Sequence, residues 1–205
     1  MDRLDRLMIT AGPLLGRVDD ILAVSGAPPE HRVWAELRRV RLLPGDAARS
    51  VAALRPEELG EAAPELQADA RAYAVLAASL PAPEEWSGSA AEAYDAARRR
   101  AAAHLSGSPD SLGERLAATA ELADQLVAWM RSARDGLAGA LAEVLTSTEA
   151  VTLAESEVDL SAGREQQAAA EVAAQVLHAV AERYETGADL LGTSRRLIES
   201  PTALR

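Results

Sequence analysis

Cysteine, lysine and phenylalanine are all absent from these 205 residues. Without cysteine there is neither a disulfide framework nor a thiolate metal site, and the redox compartment is left open. Without lysine there is no P-loop, whose chemistry needs that residue. With no phenylalanine and aromatics at only 3%, packing must come from Ala, Leu and Val, and such small side chains favour closely approaching helices over a thick sheet-based core. Alternating runs of Val, Ile, Thr and aromatics between turn residues are nearly missing as well. The predicted fold class is all-α.

Positive charge is also scarce. Twenty-one basic residues face 32 acidic ones, for a net charge of -11. No nucleic-acid partner is expected, because phosphate binding needs a basic face. The dense basic spots, Arg38, Arg39 and Arg41 and the run Arg98-Arg99-Arg100, fall in predicted helices and read as solvated faces or ion-pair partners. The Ala-rich, Lys-free composition has the look of high-GC, actinobacterial-like coding. No window approaches the roughly 20 apolar residues that a membrane-spanning helix requires, so no membrane span is expected. The start, Met1-Asp2-Arg3-Leu4-Asp5-Arg6, lacks the basic-then-apolar layout of a secretory signal. The expected location is cytoplasmic, with secretion or surface display left to a route that reads no such signal.

Catalytic patterns are missing too. There is no G-x-S-x-G elbow and no dinucleotide fingerprint. His31, His104 and His178 lie far apart, and none has a second His three or four residues away. The pairs Asp19-Asp20, Glu57-Glu58 and Glu84-Glu85 are adjacent, so on a helix they diverge by about 100° and do not converge on one reacting atom. No catalytic residue, metal or cofactor is expected, and the chain reads as a non-enzyme.

Helical periodicity, by contrast, is abundant. Residues 4 to 24 carry Leu4, Leu7, Met8, Leu14, Leu15, Val18, Ile21 and Leu22 at 3-and-4 spacing, and Gly12-Pro13 is expected to bend or break that helix. Shorter helices are predicted over 31–43 and 47–54, and residues 1–55 are expected to form an N-terminal helical cap or subdomain. From Pro64 a stripe of Leu66, Ala70, Tyr73, Ala77 and Leu80 runs to a stop before Pro81 and Pro83. After Gly88 the stripe resumes as Ala90, Ala93, Tyr94, Ala97, Ala101 and Leu105. Ser111-Leu112-Gly113-Glu114 then has the spacing of a capping box.

The strongest pattern follows it. Leu112, Leu116, Thr119, Ala123, Leu126, Met130, Ala133, Leu137, Leu141 and Val144 step as a bundle seam does, and a helix over 110–148 would be about 58 Å long at ~1.5 Å per residue. Its partner seam is expected from Ala169 through Ala173, Val176, Val180, Gly187, Leu191, Ser194 and Ile198. A turn is favoured near Val158–Gly163, with a continuous helical joint as the other reading. Residues 56–205 are thus expected to form an elongated long-helix bundle.

Between the two Ala-rich stripes lies Trp86-Ser87-Gly88. A Trp in an interhelical loop is costly to leave in water, so the indole should either cover the end of its own helix pair or enter a partner groove. Gly88 can supply a positive φ, and Ser87 or Ser89 can cap the next helix. The string Trp86-Ser87-Gly88-Ser89-Ala90-Ala91-Glu92-Ala93-Tyr94 resembles the W-x-G-x-A-A-x-A signature of the WXG100 superfamily and of the PPE-type and Esp-type relatives in type VII (ESX) secretion. The resemblance covers about residues 64–148. It implies a helical hairpin with W-x-G at its turn, pairing into a four-helix bundle with a helical protein partner or with itself, and contact with the type VII machinery.

The resemblance also implies recognition residues: Trp86 and Gly88, supported by Tyr94. Members often add Y-x-x-x-[D/E]. Tyr184 is the near match, but its acid, Asp189, stands at the fifth position, about 100° around a helix from the family's site. Either a partner supplies that half, or the chain is a relative that is not itself exported, and Tyr184 also reads as a plain bundle residue. A secretion-associated substrate or adaptor is the leading functional expectation. A cytosolic coiled-coil scaffold and the targeting module of a toxin system are the alternatives.

Overall fold

The computed structural model describes residues 1–85, 87–155 and 162–199. Among them the chain is helical throughout with no strand, in nine segments: α1 Arg3–Ser25, α2 Val33–Val40, α3 Pro44–Ala52, α4 Pro56–Leu59, α5 Ala62–Ser79, α6 Ser89–Leu105, α7 Leu112–Leu145, α8 Thr148–Glu155 and α9 Ala162–Glu199. They divide into two compact units, Met1–Arg55 with Ala128–Ala188, and Pro56–Val127 with Asp189–Arg205. Residues 1–55 therefore share a core with distant sequence.

In the first unit α1 opens on a reciprocal capping box. Asp5 N–H donates to Asp2 Oδ1 at 2.9 Å and Asp2 N–H to Asp5 Oδ2 at 3.1 Å, satisfying two otherwise orphaned amides. Gly12-Pro13 was expected to bend or break this helix; it does not break it, and α1 runs through Pro13 as one helix. Proline in a helix interior costs about 3 kcal/mol, but burial of a single Leu or Val side chain contributes about 1.5–3 kcal/mol. Leu4 lies buried before Pro13, and Leu15, Val18 and Leu22 after it, so packing on both sides outweighs the break. Helices α3 and α8 pack on α1. The core then joins Leu137, Leu141 and Val144 of α7 to Val172, Val176, Leu177 and Val180 of α9.

The break after α7 comes earlier than the sequence suggested. Thr146 Oγ1 bonds back to the carbonyls of Ala142 and Glu143, at 3.3 and 3.0 Å, and Ser147 Oγ accepts the Ala150 amide at 3.1 Å. Two neighbouring hydroxyls thus end one helix and cap the next. Helices α7 and α8 meet at 65°. The turn expected at 158–163 falls mostly on 158–161, outside the described residues, while Ala162 and Gly163 already belong to α9. Among the described residues no single helix is long and apolar enough to cross a membrane, and α7 with α8 reaches that composition only jointly.

In the second unit α5 packs against α6, and Ala63 and Leu66 of α5 meet Ala120 and Ala123 of α7. The α5 stripe faces inward as expected, with Leu66, Ala70, Tyr73, Ala77 and Leu80 each half-buried. The α6 stripe does not. Ala91 is buried and Tyr94, Arg98, Ala102 and Leu105 are half-buried, while Ala90, Ala93, Ala97 and Ala101 are exposed. Alanine occupies every face of α6, so its periodicity cannot choose one. The two large apolar residues, Tyr94 and Leu105, set the packed side. The α9 seam likewise stops short, leaving Leu191 and Ile198 61% and 76% exposed.

Candidate functional site

The W-x-G segment lies in the connector from Leu80 to Gly88, between α5 and α6. Trp86 itself is outside the described residues. Gly88 is the N-cap of α6 at φ +88°, ψ −175°, a region that is essentially restricted to glycine. A Cβ there would meet nothing within 4 Å, so glycine is needed for its backbone conformation and not for space. Gly88 O accepts the Glu92 amide at 3.2 Å. Neither Ser87 nor Ser89 makes the side-chain cap that was expected: the cap is Gly88, with no side-chain hydrogen bond. On the opposite side of the loop, the Tyr94 hydroxyl donates to Pro81 O at 3.0 Å. Tyr94 thereby ties the start of the connector to the second turn of α6.

Next to this loop the hairpin exposes small apolar residues on one side. Successive residues on a helix advance by about 100°. From the inward row of α5, the exposed Ala72 and Leu76 lie about 80–120° around in one sense, on a flank that also carries the exposed Glu65 and Asp69, while Ala68 and Val75 face almost directly away. From the inward row of α6, the exposed Ala90, Ala93, Ala97 and Ala101 are offset in that same sense. The helices run antiparallel: Pro81 after α5 bonds Tyr94 near the start of α6, and at the other end Leu105 O and Ala70 O both lie near Gly113. Offsets of the same sense on antiparallel helices fall on the same side of the pair. Ala72 and Leu76, the latter 48% exposed, therefore lie on the side of the pair that carries the α6 alanines.

Tyr184 belongs to the first unit, where it packs against the core as a half-buried residue of α9. Trp129 and Arg183 are its neighbours around a cavity.

Within the basic clusters, Arg39, Arg98 and Arg99 act as ion-pair partners. Arg39 reaches Glu36 at 2.8 Å, Glu185 at 2.7 Å and Glu182 at 3.4 Å, and the Glu185 hydrogen bond foremost pushes its pKa up. Asp95 holds Arg98 at 2.7 Å and Arg99 at 3.2 Å. His31 Nδ1 accepts the Val33 amide at 3.1 Å while its Nε2 lies 3.3 Å from Glu171, which Arg32 also binds. His178 meets Glu36 at 3.1 Å. No group of three or more metal-ligating side chains occurs among the described residues.

Sequence reasoning passed over Arg134, the buried charge of the first unit. Its Nε and Nη2 donate to Asp2 and Asp5 at 2.8 and 2.7 Å, and its Nη1 to the carbonyls of Ala52 and Leu54 at 2.6 and 3.1 Å. The available signal was its place beside Ala133 on the inward face of the long seam. Arg134 is structural: it joins the start of α1 and the end of α3 to α7.

No family model, no curated protein and no solved structure matches the chain.

Proposed function

We propose that this chain is a non-enzymatic protein of type VII secretion, a WXG100-like substrate or adaptor that acts by recognising a helical partner. The observation carrying this reading is the exposed side of the α5–α6 hairpin on which Ala72 and Leu76 lie with Ala90, Ala93, Ala97 and Ala101. Small side chains let a second helix pair approach closely, and Leu76 supplies the larger apolar contact. The W-x-G loop lies at the end of this surface, shaped by Gly88 and secured by Tyr94. In this reading the surface binds the partner hairpin, and Trp86 with Gly88 forms the recognition end. Tyr184 has a packing role, and the partner supplies the tyrosine-and-acid half of the export signature.

The test is co-expression of the full chain with the small helical proteins encoded beside it, followed by co-purification and by fractionation of cells and medium. Leu76→Glu on the hairpin surface and Trp86→Ala in the loop should each reduce recovery of the partner or release into the medium, with helical circular dichroism retained. Association and localisation unchanged in both variants would overturn the proposal. A stable homo-oligomer by light scattering, with no heterologous partner, would favour a self-assembling scaffold instead.

A further inference from the structure

Within the first unit, α3 and the residue Leu54 after it, α7 and α9 border a partly open, mainly apolar cavity of about 200 Å³. Leu54, Trp129, Ala133 and Val180 form its hydrocarbon wall, and Tyr184 and Arg183 lie at its polar part. The indole N–H of Trp129 is already committed, donating to Arg183 O at 2.8 Å. The Arg183 guanidinium is different. Its Nε is shielded from solvent and has no hydrogen-bond partner among the described residues. It lies over α7 at Gly136, where a Cβ would come within 3.0 Å of that nitrogen. The bare glycine is what lets the group lie there.

A buried donor without an acceptor is rare in native structures and calls for an explanation. Nε itself is shielded, but the same permanent cation lines the apolar space with no ion-pair partner among the described residues, so a fitting ligand would join an anionic group for the guanidinium to a hydrocarbon body. An engineered apolar cavity of roughly 150 Å³ holds benzene, which sets the size at one ring or branched alkyl group with a short arm.

We propose that this cavity binds a compact aryl or branched-alkyl carboxylate, its hydrocarbon against Trp129, Leu54, Ala133 and Val180 and its carboxylate on Arg183. The protein's net charge of -11 disfavours anions at long range. Recognition therefore rests on direct contact with the guanidinium, and a neutral isostere becomes the decisive control. The site is independent of the hairpin surface and uses none of its residues.

The full chain is titrated with phenylacetate and, separately, with phenylacetamide, following the Trp129 indole N–H cross-peak by NMR. That peak is assigned by its loss in Trp129→Phe. Phenylacetate should give a saturable shift and bind about tenfold or more tightly than the amide, as expected for a hydrogen bond to a charged group. Arg183→Met, which keeps an aliphatic stem over Gly136, should bring the two ligands to equal affinity, and Ala133→Leu should fill the space and abolish both. No saturable shift with phenylacetate, or equal affinity of acid and amide for the unaltered protein, overturns the proposal. That comparison needs no variant to fold.

Discussion

Trp129 of α7 occupies the space that Gly187 of α9 leaves open: a Cβ on Gly187 would lie 2.8 Å from the indole Cζ2. The indole N–H also donates to the carbonyl of Arg183 at 2.8 Å. Arg183 in turn lies over Gly136 of α7. Each helix thus contributes one large side chain and one glycine to the crossing.

This relationship predicts opposite outcomes for two substitutions of the same kind. Gly187→Ala gains up to about 1 kcal/mol of helix propensity but forces the indole aside, at about 1–3 kcal/mol for overpacking, and strains its hydrogen bond. The expected net effect is destabilisation, with a shifted Trp fluorescence signal. At Gly139 in α7 a Cβ would meet nothing within 4 Å, and Gly139→Ala should stabilise by about 0.5–1 kcal/mol. Urea denaturation of both variants checks the pair, and equal responses would refute the packing argument.

Arg134 makes stability depend on acid in a definite direction. Its hydrogen bond holds the Asp2 carboxyl down to about 2 and lowers that of Asp5 as well. Folded values below the unfolded ones mean that their contribution is present above about pH 4 and is lost as the pH falls toward 2. Asp19 has the opposite sign, since burial pushes its carboxyl up. Comparison with Arg134→Met therefore isolates the first effect. The variant should lose about 2–4 kcal/mol at neutral pH, because two carbonyls and two carboxylates lose a buried donor. Its thermal midpoint should also fall less than that of the unaltered protein between pH 4 and 2. Parallel pH profiles would exclude the proposed role of Arg134.

Gly88→Ala separates backbone conformation from space. Nothing crowds the position, so any effect must come from φ +88°, at about 1–3 kcal/mol for such a conformation in a residue with a side chain. Hydrogen exchange should show faster opening of the first turn of α6, with the first unit unaffected. Unchanged protection of the Glu92 amide, which donates to Gly88 O, would count against a conformational requirement for glycine.

Much of the fold was legible because it is local. Missing strand patterns and regular 3-and-4 spacing made the chain all-α. Proline placed the end of α5, which stops before Pro81 as expected, whereas α3 already opens at Pro44, three residues ahead of the predicted start at Ala47, because proline at a first helical position has no amide to satisfy. Pro13 misled because breaking propensity is also local, whereas the burial that overrides it depends on α3 and α8. The connector holding Trp86, Ser87 and Gly88 was found from the same punctuation. Its glycine requirement was anticipated, but its serine cap was not realised.

By itself the sequence determined the helices, the position of the W-x-G loop and the scarcity of catalytic patterns, since composition, periodicity and turn chemistry are properties of neighbouring residues. Tertiary structure decided which face of α6 turns inward, because alanine at every register carries no preference until Tyr94 and Leu105 find neighbours. It also brought Asp2, Asp5, Ala52 and Leu54 to Arg134, and Trp129 to Gly187. Those contacts span dozens of residues, and a helix specifies its partners only once its side chains meet another surface.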